Sequence, residues 1–253
     1  MTPRPRPARW SAVLGRCALA VGAAFGPPGW VGAAPSLLAP WGEAGSEPPA
    51  PWKPVGLPQQ RQPATRFTQI ELDGRRALRV EANDAYGNLV HPFAWTGPTL
   101  QLGWSWRVDR LIEGADLRSK NGDDVALKVC VLFGLSLDRV PFVERQLLRL
   151  ARRRTGEDLP AATVCYVWDA QLPAGTQLDN AYTRRVRYLV LQSGSARPNE
   201  WRLEKRDVAA DFIALFGDES RQMPPVIAVA VGADTDNTHG HGIGHLGALA
   251  LEP

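Results

Sequence analysis

The sequence predicts an all-β chain with two short helices, folded as an antiparallel β-sandwich or jelly roll. Three observations carry this. Short apolar or alternating runs recur along the chain, separated by turn-forming clusters. The 253 residues include 24 Gly and 22 Pro, which favours turns over long helices. Nine Trp stand against four Tyr and seven Phe, a mix that leans the same way. The composition is 44% hydrophobic and 22% charged, which excludes a disordered chain and gives no coiled-coil or collagen bias.

Residues 1–34 read as a secretory signal. Arg4, Arg6, Arg9 and Arg16 form a basic start without an acid, Cys17–Phe25 is a short apolar run, and Gly32, Ala33 and Ala34 offer small residues for cleavage. The run is far below the roughly 20 residues of a membrane span; an uncleaved N-terminal anchor is the alternative. Arg16 before Cys17 argues against a lipoprotein. Cleavage takes four arginines and no acid from 29 basic and 26 acidic residues, leaving 25 against 26 and a net charge of −1. That balance gives no case for nucleic-acid binding. The expected location is periplasmic or secreted, with no integral membrane span after cleavage. Cys17 leaves with the signal, and Cys130 and Cys165 remain, each in an apparent strand. An exported chain permits a disulfide between them; two free core thiols are the alternative.

Residues 35–65 are rich in Pro, Ala and Gly, with Trp41 and Trp52 embedded, and are expected to be a linker or draped arm outside the core. The β-sandwich domain is placed at 66–253. Phe67–Leu72 and Arg76–Asn83 flank Asp73-Gly74, a hairpin signal. Thr99–Val108 alternates, with Leu100, Leu102, Trp104 and Trp106 on one face, which points that Trp pair into the core. Asp124–Phe133, Thr163–Trp168, Val186–Gln192, Pro225–Val231 and Leu246–Leu251 complete the strands. Val140–Arg154 has helical spacing at Val143, Leu147 and Leu150, with Arg145, Arg149, Arg152, Arg153 and Arg154 elsewhere. It is expected to cap the sandwich with a solvated basic face, membrane or acidic-partner binding being the alternative. Val208–Phe216 has Asp207 and Gly217 as its caps.

Several segments carry a resemblance. They are LGWSWRVD (102–109), NGDDVALKVCVLF (121–133), ATVCYVWD (162–169), GTQLDNAYTRRVRYLVLQSG (175–194), EWRLEKRDVAADFIALFGDE (200–219) and VAVGADTDNT (229–238). In this order they resemble the bacterial exported family called domain of unknown function 3047, over roughly residues 66–252. The resemblance implies an envelope β-sandwich of jelly-roll type, similar to carbohydrate-binding modules, and implies no established activity. The His-rich stretch after the aspartates departs from it.

Candidate chemistry lies in four places. Asp234, Asp236 and Asn237 end an apolar strand and supply oxygen ligands suited to calcium; an Asx-rich turn is the alternative. Asp123 and Asp124, after Asn121, open another strand. Should one of them converge with Asp236, the two can hold a cation or act as acid and base. His239, His241 and His245 lie within seven residues among glycines, which suits a transition metal or else a flexible loop. Trp168 and Trp201 sit beside charged residues and are expected at an edge, where a sugar ring can stack. Asp169 ends the Trp168 strand, and Arg107, Arg184 and Arg185 suit glycan hydroxyls or carboxylates.

The sequence therefore favours an exported, non-catalytic binding module for a carbohydrate or envelope polymer, with a structural calcium as the favoured ion and a transition metal second. A polysaccharide hydrolase using paired carboxylates or a His-bound metal, and a structural envelope protein without a small ligand, are the rivals. No nucleophile elbow, P-loop or CxxC pair is present.

Overall fold

Two sheets face each other across one apolar core. The computed structural model describes residues 36–57, 59–194 and 199–253; the expected secretory segment lies outside them. The strands are β1 (Lys53–Val55), β2 (Arg66–Leu72), β3 (Arg75–Asn83), β4 (Tyr86–Trp95), β5 (Gln101–Arg110), β6 (Val125–Phe133), β7 (Ala162–Asp169), β8 (Gln177–Asp179), β9 (Val186–Ser193), β10 (Arg202–Asp207), β11 (Val226–Asp234) and β12 (His241–Glu252). Helix α1 (Phe142–Thr155) lies between β6 and β7, and α2 (Val208–Phe216) follows β10. One sheet runs β1-β4-β11-β6-β7-β9-β8 and the other β10-β5-β12-β3-β2. Strand neighbours are antiparallel except β7 and β9, which run parallel, the one departure from the expected antiparallel pattern.

Alternation decides the layers. On β5, Leu102, Trp104, Trp106 and Val108 point inward, with Trp104 3% exposed and Trp106 fully buried. The expected Trp pair therefore fills the core, each worth about 1.5–3 kcal/mol in burial. On β6, Leu127, Val129, Val131 and Phe133 join the same core. The intervening Cys130 belongs to a second apolar layer with Cys165, Val167, Tyr188 and Val190 on the outer face of the seven-stranded sheet. Cys130 and Cys165 are cross-strand partners, 4.0 Å apart at Cα, and are joined by a disulfide.

Several expectations change. The described part of the 35–65 arm packs on the sandwich: Leu38, Trp41 and Trp52 belong to the core, and Trp41 Nε1 donates to the Gly247 carbonyl at 2.6 Å. Apolar bulk outweighs the Pro and Gly content there. The His-Gly run is not a loop from His241 on; it opens β12. Its glycines permit close sheet packing, because a Cβ on Gly242 would lie 3.1 Å from Ala126 Cα and one on Gly244 2.8 Å from Leu127 Cβ. Helix α2 matches its expectation, with Asp207 accepting from the Ala210 amide at 3.0 Å. Helix α1 buries only Leu148 and leaves Val143, Leu147 and Leu150 in solvent, the reverse of a cap seated on its apolar stripe. Among the described residues no helix is long and apolar enough to cross a membrane.

Candidate functional site

The outer face of the seven-stranded sheet holds a groove of about 630 Å³. Its floor comes from side chains that alternate away from the core: Val90 on β4, Lys128, Cys130 and Leu132 on β6, Cys165 on β7, Tyr188 on β9 and Ala230 on β11. One part of the lining is polar, with Tyr86, Asn88, Asp123, Asn180, Tyr182, Asp234, Asp236 and Asn237; the rest is mostly apolar, with Glu157, Thr163 and Thr183 among it. An apolar floor beside convergent polar groups is the usual make-up of a small-molecule site.

The polar end is built on a buried ion pair. Lys128 Nζ meets Asp234 Oδ2 at 2.8 Å, each side chain 7% exposed. Burial works against the ammonium, but the Asp234 carboxylate outweighs it and raises the Lys128 pKa, so the pair is ionic. The Tyr86 ring lies 5.4 Å from Nζ. Asp234 Oδ1 accepts from the Val125 amide at 3.1 Å. Asp123 accepts from the Tyr188 hydroxyl at 3.2 Å and from Asn180 Nδ2. Burial first, and the Asp234 charge second, push the Asp123 carboxyl up to about 6. Asp236 also titrates above the ordinary carboxyl range through burial and the charge of Asp234. Its Oδ1 is buried and has no hydrogen-bond partner.

Asp124 plays another part. It accepts from the Asn237 amide at 3.2 Å, Asn237 Nδ2 at 3.1 Å, the Thr238 amide at 2.7 Å and Thr238 Oγ1 at 2.6 Å. It therefore clamps the 236–238 turn to the start of β6. Asn237 Oδ1 is taken by the Tyr182 hydroxyl at 2.6 Å. Tyr182 thereby leans over this end, with Lys120 Nζ 5.4 Å from its ring, and remains 57% exposed.

This arrangement differs from the calcium expectation. Asp234 spends its charge on Lys128, Asp124 is held by neutral backbone and side-chain donors, and the Asn237 carbonyl is taken by Tyr182, so three of the expected oxygen ligands are already engaged within the protein. Among the described residues no group of three or more His, Cys, Asp or Glu is placed to hold a metal ion. The histidines separate as well: His239 Nδ1 lies 2.8 Å from Asp84, His241 Nε2 2.9 Å from Glu81 and His245 Nδ1 3.4 Å from Asp109. Along β12, His241 and His245 lie on the outer face of the five-stranded sheet, away from the Asp234 cluster.

The residues expected to bind a glycan do not converge. Trp168 is 4% exposed and packs against Trp106, ring centres 5.7 Å apart, with Nε1 donating to the Gly194 carbonyl. It points inward on β7, where a charged neighbour in sequence faces the other way. That neighbour, Asp169, is 3% exposed and accepts from the Gln171 amide at 2.7 Å and from the Leu172 amide. Arg107 and Trp201 do meet, on the outer face of the five-stranded sheet. Arg107 grips Asp109 through two hydrogen bonds of 2.8 Å and reaches Asp73 at 3.0 Å, while Trp201 Nε1 donates to Asp73 at 2.8 Å. Arg184 pairs with Asp179, and Arg185 is buried against Glu219.

The sequence reading does not single out Tyr86, Tyr182, Tyr188, Asn180 or Lys128. Lys128 had a signal: one charge within VALKVCVLF must either face solvent or find a buried partner. Tyr182, Tyr188 and Asn180 come together through the pairing of β8 and β9 and a turn, and Tyr86 joins them through the pairing of β4 with β11, which no local pattern announces.

The chain matches the family described as "Protein of unknown function (DUF3047)" over residues 50–250. It belongs to this family. Comparison with curated proteins gives no match. Among solved structures, the chain is similar to TmCBM61 in complex with beta-1,4-galactotriose, at 8% identity and a TM-score of 0.34, covering 80% of this chain and 88% of that one. It is also similar to endoglucanase 3 of Trichoderma harzianum, from family GH12, at 10% identity and a TM-score of 0.36, covering 81% and 99%. At these scores neither likeness carries an argument about the site of this DUF3047 protein.

Proposed function

We propose that this DUF3047 chain is an exported, non-catalytic binding module whose groove takes a polyhydroxylated ligand, a glycan or glycan-bearing envelope polymer. One observation carries the reading: Asp236 lines the groove, and its Oδ1 is buried and lacks a donor. A buried acceptor left unmet costs about 1–3 kcal/mol, which a ligand hydroxyl recovers. The rest fits a sugar ring. Its C–H faces suit the apolar floor of Val90, Leu132 and the Cys130–Cys165 disulfide, and its hydroxyls suit Asn88, Asn180 and Asp236. Export is supported by the basic, apolar first segment and by a disulfide, which persists in oxidising compartments.

Screening the protein against a glycan array, followed by calorimetry on any ligand found, tests this. Tyr182→Ala and Asp236→Asn are each expected to weaken binding about tenfold, without lowering the melting temperature of the Tyr182 variant. Parent-like affinity in both variants removes the groove from the reading. An array without a ligand removes the ligand class.

A second reading, a polysaccharide hydrolase, is favoured by one feature. Asp123 lines the groove with its carboxyl at about 6, a group that carries a proton into the mildly acidic range. Release of reducing ends from the bound glycan, abolished by Asp123→Asn with binding retained, is the result that selects it.

A further inference from the structure

On helix α1 four large apolar side chains turn away from the core. Phe142 is 67% exposed, Val143 66%, Leu147 57% and Leu150 45%. At 100° per residue, positions 142, 143, 146, 147, 150, 153 and 154 share one side of the helix. That side carries the four apolar residues together with exposed Gln146, Arg153 and Arg154, and exposed Arg149 flanks it. Among the described residues Arg149, Arg153 and Arg154 make no ion pair, and the apolar row stays exposed, with the Arg145 guanidinium 5.7 Å from the Phe142 ring. The single acid of the helix, Glu144, is turned inward to Arg185 at 3.5 Å. Arg152 is likewise held by Asp158 and the Leu159 carbonyl. The outward face is therefore apolar and cationic, with no carboxylate of its own.

We propose that α1 is a docking helix that lies in the interface of an anionic lipid bilayer. The proposal stands on the helix alone and does not need the ligand of the groove. An in-plane helix buries an apolar row at the headgroup boundary while flanking basic residues meet lipid phosphates. Arginine suits this because its apolar stem lies along the membrane surface and its planar head pairs with phosphate. A second copy is a poorer occupant, since two such faces bring Arg149, Arg153 and Arg154 against their like.

The full chain is the material for the test. Residues 1–34 are basic and apolar too, so the readout must be local to α1. An environment-sensitive dye is attached at Leu150→Cys in a Cys17→Ser background; Cys130 and Cys165 are held in their disulfide. The probes are vesicles of phosphatidylcholine alone and of phosphatidylcholine with one third phosphatidylglycerol. The expected result is a blue shift of the dye on the anionic vesicles only, reversed by high salt. Replacing Arg149, Arg153 and Arg154 by Gln in the labelled chain is expected to raise the lipid needed for half the shift by well over tenfold, about fivefold per arginine. All three are exposed, so an unchanged thermal melt excludes misfolding. Equal shifts on both vesicle types, or no shift, overturn the proposal. So does a shift without lipid that accompanies a dimer in light scattering, which gives the face to a second copy. A shift with polyglutamate but not with vesicles overturns it in favour of an acidic protein.

Discussion

On the five-stranded sheet, the outer face carries Arg79, Glu81, Arg107, Asp109, His241 and His245. Arg79 meets Glu81, Glu81 meets His241, His245 meets Asp109, and Asp109 meets Arg107, each within 3.4 Å. The seven-stranded sheet carries Asp123, Lys128 and Asp234 on its outer face with Asp236 in the turn beyond. There the pairing stops short: Lys128 and Asp234 neutralise each other, Asp123 holds only neutral donors, and Asp236 Oδ1 holds none. Residue types on the two faces are alike, and what separates them is how far the acids find ion-pair partners. On the first, each acid of the set meets a basic or imidazole side chain, although His245 Nδ1 makes no hydrogen bond; on the second, Asp123 and Asp236 line a groove without an ion pair.

The largest expected effect falls on the groove's internal ion pair. Asp234→Ala strands the Lys128 ammonium in a site where its side chain is 7% exposed, and is expected to cost ~3–5 kcal/mol in denaturant unfolding. Asp73→Ala on the other sheet removes an Arg107 partner whose side chain is 52% exposed, and is expected to cost under about 1 kcal/mol. Similar costs for the two variants would break the contrast between a buried framework and a surface lattice.

The sandwich was legible because alternation reports burial directly. The inward set of β5 is readable from Leu102, Trp104 and Trp106, and Asp73-Gly74 turns β2 into β3 within a residue of the expected ends. The strands that no pattern announced are β1, β4, β8 and β10, which lie towards sheet edges or alternate weakly, as in the exposed-intermediate rhythm of RLEKRD. The site was half legible. Asp123 was visible as a polar residue opening an apolar run, and Asp234 and Asp236 as polar residues ending one. That Lys128 neutralises one of them depends on β6 lying beside β11, a pairing between residues more than a hundred positions apart. The Trp reading failed for Trp168 because adjacent residues on a strand face opposite layers, so the charge of Asp169 says nothing about its neighbour's exposure.

The next effect sharpens the electrostatics of the groove. The Asp123 carboxyl sits at about 6 in the folded protein against 3.8 ordinarily. Between these values the folded state holds the extra proton, so rising pH removes stability, and the cost is complete above about 6. Asp123→Asn lacks this titration. The stability of the parent relative to this variant is expected to fall by on the order of 2 kcal/mol as pH rises through that window, and to be level below it. A flat difference across the window would mean that Asp123 is solvated and ionised throughout, which removes the acid needed by the hydrolase reading.

The smallest effect decides which face binds. Trp201 is the one site candidate that the sequence placed at an edge and that sits at one, between Arg75 at 4.9 Å and Arg107 at 5.8 Å from its ring. Those guanidinium groups occupy the aromatic surface a sugar would need, and Asp73 takes its indole N–H. Trp201→Ala is therefore expected to cost about 1 kcal/mol of stability through lost cation–π contact and to leave glycan affinity unchanged. Tyr182→Ala should show the opposite pair of outcomes, affinity lost and stability kept. If Trp201→Ala abolishes binding while Tyr182→Ala does not, the ion lattice of the five-stranded sheet opens for ligand and the groove is the passive face.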